Sequence, residues 1–467
     1  MIKTDSAYEP HAQPDNPKTN VTRRGLFGLA GATAAMAASP GAARGFGSGF
    51  THNVASGEPQ ANSVLLWTRY VGDAETKLDW QVSASQDFAR PISEGSVMAS
   101  PNRDWCAKAI ANGLEPDRWY FYRFVAPDGT VSPMGRTRTL PQGPTQSFRL
   151  AVFSCANYGF GWFNAYAHAA EANDCDLAVH LGDYIYEYGA GTYPSAGQKH
   201  PDRHGAPDNE IITLADYRLR YATYRADPDL QRIHQVLPMI MVWDDHESAN
   251  DSWKDGAQNH QPDTEGSWEA RKSVAKRVYR EWMPISDEPY AAYDVGDLAT
   301  LFRIDTRLEG REEQFSVEKV LKGEADPEKM IASLQSFAGG DYLDPSRQML
   351  GAAQEQWLGE GLKVHLKRIV ARNRSLAASS QSTIDQTPMS SAQAMAVEQD
   401  PNWVMLSPNV TAQLSEYIAA VARLYHDNPF HNFEHACNVT VAVSKFLTRM
   451  AAEKDATLTL NDRSYGM

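Results

Sequence analysis

The sequence predicts an α/β protein with a layered sheet. An all-β immunoglobulin- or fibronectin-like sandwich precedes this sheet, and a short all-α segment follows it. Three observations lead to this prediction. Short alternating apolar runs separated by turn residues fill residues 46–140. Buried apolar runs with a helical stretch between them start near residue 148, and a purely helical spacing takes over beyond Pro408.

Composition and charge limit the range of functions. The chain has 467 residues, 42% hydrophobic and 22% charged, so it can fill several cores. Its 58 Asp and Glu outnumber 44 Lys and Arg, which gives a net charge of -14. No duplex nucleic acid is expected as a partner, because binding it needs clustered positive charge. The four cysteines include no CxxC pair, so neither a disulfide scaffold nor a thiolate zinc site is indicated.

Residues 1–45 begin with a polar stretch, and Arg23 and Arg24 then open a weakly apolar run over 25–38. This arrangement resembles a twin-arginine export signal. The run is shorter than the about 20 residues that cross a bilayer as a helix, and it is rich in Ala and Gly. We therefore expect no transmembrane anchor. If the signal is used, the protein is exported to the periplasm or the extracellular space.

Residues 46–140 are expected to form the sandwich. Apolar and polar residues alternate over 64–68, 78–82 and 119–124, which suits strands with one buried face. Turn formers such as Pro116 and Gly129 lie between these runs. Short strands with regular turns are typical of antiparallel sandwiches, and this region contains no catalytic grouping.

Three apolar runs within residues 147–363 each end in side chains that can bind metal ions. The runs cover 148–153, 176–181 and 237–243, and 165–173 has a helical pattern. Strand ends of this kind meet at one edge of an α/β sheet. Each residue alone is more often structural, but carboxylates gathered at one edge need a cation to offset their repulsion. The side chains that predict this metal site are Cys155, Asp183, Tyr186, Asp244, Asp245 and His246.

The motifs at these strand ends resemble those of the PhoD-type alkaline phosphatases, which belong to the calcineurin-like metallophosphoesterase group. Segments 53–59 and 66–69 look like that family's N-terminal domain, and 302–307, 348–351 and 354–358 extend the match. The resemblance covers about residues 50–363 and implies a metallophosphoesterase-like sheet. The motifs are Phe153-Ser154-Cys155, Gly182-Asp183-Tyr184-Ile185-Tyr186-Glu187 and Trp243-Asp244-Asp245-His246-Glu247.

The resemblance implies a phosphate ester substrate, with a ferric ion and calcium as cofactors. Cys155, Asp183 and Tyr186 would hold the iron, and Asp183 would also bridge to calcium. Asp244 and Asp245 are further candidate metal ligands. The donor types agree with these roles, because anionic thiolate, phenolate and carboxylate suit a trivalent ion, whereas calcium takes oxygen ligands.

The remaining roles concern the substrate. His246 occupies the position of the group's catalytic or phosphate-contacting His, and it would protonate the leaving oxygen or stabilise the charge that forms there. Arg307 is a candidate phosphate clamp with a catalytic role, and a surface salt bridge is the alternative interpretation. Asn157 is, with Arg307, a candidate substrate-binding residue.

Family members complete the site with a later Gly-Asp-x-His motif, which this sequence lacks. The later Gly-Asp pairs, at 296–297 and 340–341, are not followed by such a His. Residues 364–400 are expected to be a linker, because Ser, Ala, Gln and Thr dominate 373–400. A parallel sheet with missing strands exposes an edge, so self-association through the incomplete sheet is predicted.

Residues 401–467 form the predicted all-α segment, in which His431 and His435 share one helix face. The run His431-Asn432-Phe433-Glu434-His435 resembles the opening of the catalytic domain of class I cyclic-nucleotide phosphodiesterases. By that resemblance His431 would be a general acid, and His435 would bind Zn²⁺ or Mg²⁺. No His follows His435, so this family's later ligands are lacking and an orphan helical His pair is the favoured interpretation.

Three functional hypotheses follow. The first is an exported phosphomonoesterase or phosphodiesterase of the PhoD type. The second is a protein related to cyclic-nucleotide phosphodiesterases, whose remaining domain is supplied elsewhere. The third is a catalytically inactive product of joined gene fragments. Loss of activity in Cys155→Ala would identify the first hypothesis. Loss of activity in His435→Ala, with activity retained in Cys155→Ala, would identify the second.

Overall fold

The computed structural model describes residues 47–380 except Ala325, Tyr342, Leu343 and Pro345. The predicted export signal at 1–45 lies outside the described residues. So does the predicted helical segment at 401–467, with His431 and His435.

The N-terminal part of the described chain is all β. Its strands β3, β4, β6 and β7 form one antiparallel sheet in the order β4-β3-β6-β7. Strands β5, β2 and β1 pair antiparallel in a second sheet. The three runs that the sequence predicts as strands lie within β2, β3 and β6. The strands are β1 (Gly49–Gly57), β2 (Ser63–Val71), β3 (Thr76–Ser83), β4 (Ser93–Ala99), β5 (Cys106–Asn112), β6 (Trp119–Val125) and β7 (Gly135–Arg138).

Apolar side chains from both sheets form a core of their own. Val54 and Leu66 from one sheet and Val82, Tyr122 and Phe124 from the other are fully buried in it. Because side chains alternate along a strand, each sheet turns one face to this core. The arrangement is a two-sheet β-sandwich. Its immunoglobulin-like character stays a prediction.

The next part of the chain alternates strands and helices. The predicted runs at 148–153, 176–181 and 237–243 contain β8, β9 and β10, and the predicted helix at 165–173 corresponds to α1. The elements are β8 (Leu150–Phe153), α1 (Asn164–Ala172), β9 (Leu177–His180), α2 (Leu214–Arg225), α3 (Pro228–Val236), β10 (Met239–Met241), α4 (Pro262–Glu265), α5 (Trp268–Trp282), β11 (Ala291–Val295) and β12 (Ala299–Arg303).

Local signals start the two helices that precede β10. Thr213 and Asp216 form a capping box at the start of α2, each side chain accepting a hydrogen bond from the other residue's backbone N–H. Helix α3 begins with Asp227, whose carboxylate accepts hydrogen bonds from the backbone N–H groups of Asp229 and Leu230. Pro228 follows at the first helical position, where its missing N–H is harmless.

One sheet of six strands joins the sandwich to the α/β part, in the order β5-β2-β1-β10-β9-β8. Strands β8, β9 and β10 are parallel, and β1 continues this sheet by pairing parallel with β10 at Gly57 and Met239. Gly57 is needed at this junction. A Cβ atom there would lie 2.1 Å from the carbonyl oxygen of Pro284 and 2.8 Å from that of Met239.

The two faces of the parallel strands have different neighbours. Ala178 and Met241 pack with residues of α1, α2, α3 and α5 in the largest core. On the other face Leu177 and Ile240 contact Tyr293 of the β11-β12 hairpin. Strand β8 ends the sheet, and the side chain of Val152 on it is 56% exposed. Among the described residues, nothing covers this edge as a further strand would.

The helices after β12 are α6 (Val317–Leu321), α7 (Pro327–Gly339) and α8 (Ala352–Ser380). Helix α8 extends into the predicted linker over 364–400, because its helical residues continue to Ser380. The reason is local, since no Pro or Gly interrupts residues 364–380 and good helix formers are frequent there. None of the helices within residues 47–380 that the structure describes could span a bilayer.

Candidate metal centre and active site

The loops after β8, β9 and β10 carry the candidate ligands, and their backbones are tightly constrained. Cys155 and Asp183 have positive φ values of 56° and 53°. Gly182 also has a positive φ of 110°, and a Cβ atom on it would lie 2.4 Å from the backbone nitrogen of Asp244. The loops after β9 and β10 therefore approach each other more closely than a larger residue at position 182 would permit.

Three side chains from these loops converge. Asp183, Asp245 and His246 each offer one ligand atom, and these atoms lie within 4.8 Å of one another. All three residues are buried. Because Asp183 follows β9 whereas Asp245 and His246 follow β10, the parallel pairing of the two strands creates the cluster.

Two further predicted ligands contact the same carboxylate. The phenol of Tyr186 donates a hydrogen bond to Oδ2 of Asp183 over 3.2 Å, and the thiol of Cys155 donates to this oxygen over 3.5 Å. The structure thus gathers Cys155, Asp183, Tyr186, Asp245 and His246 in one place. Their sequence positions span three strand ends, as predicted.

The electrostatics of the cluster fit a cation. The Oδ1 atom of Asp183 is buried and has no hydrogen-bond partner among the described residues. Burial raises the pKa of Asp183 to about 6, an effect that Asp245 and Asp244 reinforce and His246 opposes. Burial and the Asp183 charge also raise the pKa values of Cys155 and Tyr186. A metal ion would satisfy the orphaned oxygen and favour the anionic form of each donor.

Glu187 orients His246. Its Oε2 lies 2.7 Å from Nδ1 of His246, and its Oε1 accepts hydrogen bonds from the backbone N–H of Asn250 and from Nδ2 of Asn259. Burial opposes protonation of His246, but the hydrogen bond and charge of Glu187, with Asp183 and Asp245, raise its pKa to about 9. The imidazole is therefore held ready to carry a proton beside the carboxylates.

Glu247 joins two of the ligand loops. Its Oε1 accepts a hydrogen bond from the backbone N–H of Tyr184, and its Oε2 accepts one from that of Asp244. The side chain is buried, and burial together with Asp183 raises its pKa. One carboxylate thus fixes the spacing between the loop after β9 and the loop after β10.

Arg307 lies at the same site, in the segment after β12. Its Nε donates to Oδ1 of Asp244 over 2.5 Å, and one of its terminal nitrogens lies 3.6 Å from Asp245. Asp244 is therefore paired with Arg307 and stands outside the cluster of three ligands. Asn157 has a buried Nδ2 that lacks a hydrogen-bond partner in the described part of the chain, while its Oδ1 accepts from the N–H of Gly159.

The sequence predicts the residues that converge here, but it assigns no role to the two acids that support them. Glu187 and Glu247 are the last residues of the two carboxylate motifs, and their positions beside the ligands were the available signal. His431 and His435, the proposed second site, lie outside the described residues.

The comparisons with known proteins agree with this fold. The chain belongs to the PhoD-like phosphatase family, whose family model matches residues 150–400. The model of the family's N-terminal domain matches residues 34–141. It is similar to alkaline phosphatase D of Bacillus subtilis (strain 168), with 36% identity over 338 residues, which is 67% of this chain and 53% of the relative.

A solved structure titled "Structure of PhoD" is also similar. It superimposes with a TM-score of 0.54 and 30% identity, covering 68% of this chain and 59% of that one. The chain spans about half the length of the curated relative it matches, alkaline phosphatase D. The family match agrees with the first resemblance found in the sequence, and the resemblance to phosphodiesterases at 401–467 stays a prediction.

Proposed function

We propose that this protein hydrolyses phosphate esters at the cluster of Asp183, Asp245 and His246. The observation that carries the proposal is the convergence of these three ligand atoms within 4.8 Å, together with a thiol and a phenol on Asp183. Family membership supports the same reaction class.

The proposed cofactors are a ferric ion and calcium. Cys155, Asp183 and Tyr186 would hold iron, because a thiolate, a carboxylate and a phenolate are anionic donors that suit a trivalent ion. Calcium would take oxygen atoms from Asp183 and Asp245, and Asp244 would join them if Arg307 released it. When bound, these ions polarise the phosphoryl oxygens and lower the pKa of the attacking water.

The protein's own residues then have distinct tasks. His246, held by Glu187, carries a proton that it can donate to the leaving oxygen as the bond from phosphorus to the alcohol breaks. Arg307 and the unpartnered Nδ2 of Asn157 are the proposed donors to the phosphate oxygens. Glu247 keeps the ligand loops at a fixed distance, which preserves these alignments.

The first test compares two cysteine variants of the full chain. We expect wild-type protein to contain iron and calcium by elemental mass spectrometry and to release phosphate from simple phosphomonoesters. Cys155→Ala should lose iron and activity. Cys175→Ala is the matched control, because that thiol contacts Asp174 away from the cluster and should be dispensable. Metal content and turnover that are equal in both variants would contradict the proposal.

The same assays decide between the other hypotheses. Activity on cyclic nucleotides that survives Cys155→Ala and disappears in His435→Ala would favour the phosphodiesterase-related protein. A protein that neither binds metal nor hydrolyses any ester would be the inactive joined product.

Two further proposals concern the whole protein. Export through the signal at 1–45 is tested by fusing this segment to a reporter that is active only outside the cytoplasm, with Arg23 and Arg24 changed to Lys as the control. Self-association is proposed at β8, the last strand of the six-stranded sheet, where Leu150 and Val152 are exposed. Light scattering should show oligomers that Val152→Lys reduces.

A further inference from the structure

A pocket opens beside the candidate metal centre, and the loops after β8 and β9 form most of its wall. Asn157 and Tyr186, both assigned to the site above, line it together with Tyr188 and Tyr193. The pocket is therefore continuous with the site. Its volume is about 40 Å³, enough for a few waters or a small group, and it is open to solvent on one side.

Exposed aromatic side chains are concentrated on these loops. Among the described residues, four aromatic side chains are strongly exposed, and three of them are here: Phe160 at 44%, Trp162 at 53% and Tyr193 at 45%. Of these three, Tyr193 lines the pocket, while the fourth exposed aromatic residue, Phe315, is elsewhere in the sequence. Clustered exposed apolar surface beside a catalytic site is typical of a ligand-binding surface.

The rings form a continuous row that leads outward from the cluster of Asp183, Asp245 and His246. The ring centroids of His246 and Tyr188 are 5.5 Å apart, those of Tyr188 and Tyr193 5.7 Å, and those of Tyr193 and Phe160 5.2 Å. We call Phe160, Tyr188 and Tyr193 the aromatic wall. An alcohol that leaves toward His246 would lie along this wall at the first or second ring.

Buried arginines anchor parts of both loops. Arg220 of α2 is buried, and Arg203 is paired with Asp227 over 2.6 Å while its guanidinium lies 4.8 Å from the ring of Trp162. These buried charges fix the backbone at Tyr158 and at Tyr188, so less ordering is required there when a ligand binds. The guanidinium of Arg220 donates hydrogen bonds to the carbonyl oxygens of Tyr186, Tyr188, Ala206, Pro207 and Asn209.

From this geometry we propose that the site prefers phosphate esters whose alcohol carries an aromatic ring, which packs against Tyr188 and Tyr193. The inference rests on the proposed phosphate ester hydrolysis and adds the substrate class. The aromatic rings offer flat faces and edges to such a ring, whereas an open-chain alcohol would gain little from them.

The test compares benzyl phosphate with glycerol 3-phosphate, two esters of primary alcohols with similar leaving-group strength. For the metal-loaded full chain we expect kcat/KM to favour benzyl phosphate. Tyr193→Ala should reduce this preference by about threefold to tenfold, the range of one aromatic contact. Phe160→Ala should reduce it less, and Tyr193→Phe should retain it. The exposed Phe315→Ala serves as the control and should leave the preference unchanged.

A binding measurement separates this inference from the proposed function. Benzylphosphonate and propylphosphonate cannot be hydrolysed, and calorimetry gives their affinities whether or not the protein turns over esters. Tighter binding of benzylphosphonate, lost in folded Tyr193→Ala, supports the aromatic wall as a subsite. Equal affinities for the two phosphonates in wild type overturn it, even if both esters are hydrolysed. Absence of hydrolysis with tighter benzyl binding would instead refute the proposed function alone.

Discussion

The Oε2 atom of Glu187 lies 2.7 Å from Nδ1 of His246, and both residues are buried beside the candidate metal ligands. This hydrogen bond occupies Nδ1 of His246, so Nε2 is the nitrogen left to act in the site. A carboxylate behind an imidazole fixes the orientation of the ring and increases its basicity, as seen at many metal sites.

Replacing this carboxylate by an amide tests that role. Glu187→Gln should lower kcat by about tenfold to a hundredfold, because the amide carries no charge to stabilise protonated His246. In the metal-free protein the pKa of His246 should fall from about 9 toward its ordinary value. NMR titration of the His246 ring measures this shift. The exposed Glu94→Gln is the control, and an unshifted His246 titration in Glu187→Gln would contradict the assigned role.

The same pair predicts a pH dependence of stability in the metal-free protein. Folding raises the pKa of His246 to about 9 from the ordinary value of 6.5, so the folded state binds this proton more tightly. The contribution to stability is complete below about pH 6.5 and is lost as the pH rises through 9. Urea unfolding at pH 6 and 9.5 should show the loss in wild type and a smaller one in Glu187→Gln. Equal losses would mean that other groups cause it.

Glu247 should matter for stability. In Glu247→Gln the amide NH₂ would face a backbone N–H, either that of Tyr184 or that of Asp244, and one buried donor would lose its acceptor. We expect a loss of about 1–3 kcal/mol in the free energy of unfolding, measured in urea. Glu94→Gln, on the exposed side of β4, should change it by less than about 0.5 kcal/mol. Similar values for both variants would argue against the bridging role.

Arg307 should have opposite effects on the binding of cations and on the binding of anions. In Arg307→Gln the carboxylates of Asp244 and Asp245 lose a positive neighbour, so calcium should bind more tightly, by roughly tenfold. Inorganic phosphate should bind more weakly to the metal-loaded protein, because a charged donor is removed. Calorimetry with each ion measures both effects, with the exposed Arg90→Gln as control. If both ions bind more weakly, Arg307 is only a structural support.

The sequence was sufficient to locate the candidate site because of a general property of parallel sheets. Cys155, Asp183 and Asp245 each follow an apolar run, and parallel neighbouring strands bring such ends together. The supporting acids were harder to assign, because their partners are distant in sequence. Glu187 contacts a residue 59 positions away, and Glu247 one 63 positions away.

Other features depend on contacts that periodicity does not contain. The pairing of β1 with β10 joins two regions that the sequence treats as separate domains, and only the backbone approach at Gly57 makes it feasible. The extension of α8 through 364–380 was obscured by the Ser- and Ala-rich composition that follows it.

The junction of Gly57 and Met239 also imposes an order on synthesis. The end of β1 at Gly57 cannot pair with Met239 of β10 until about 180 further residues have been made. At about 5–20 residues per second, the nascent sandwich waits roughly ten to forty seconds with that end unpaired. Any factor that binds unpaired strands has this interval in which to act. The yield of folded protein should therefore depend on how fast the ribosome moves between these two codons.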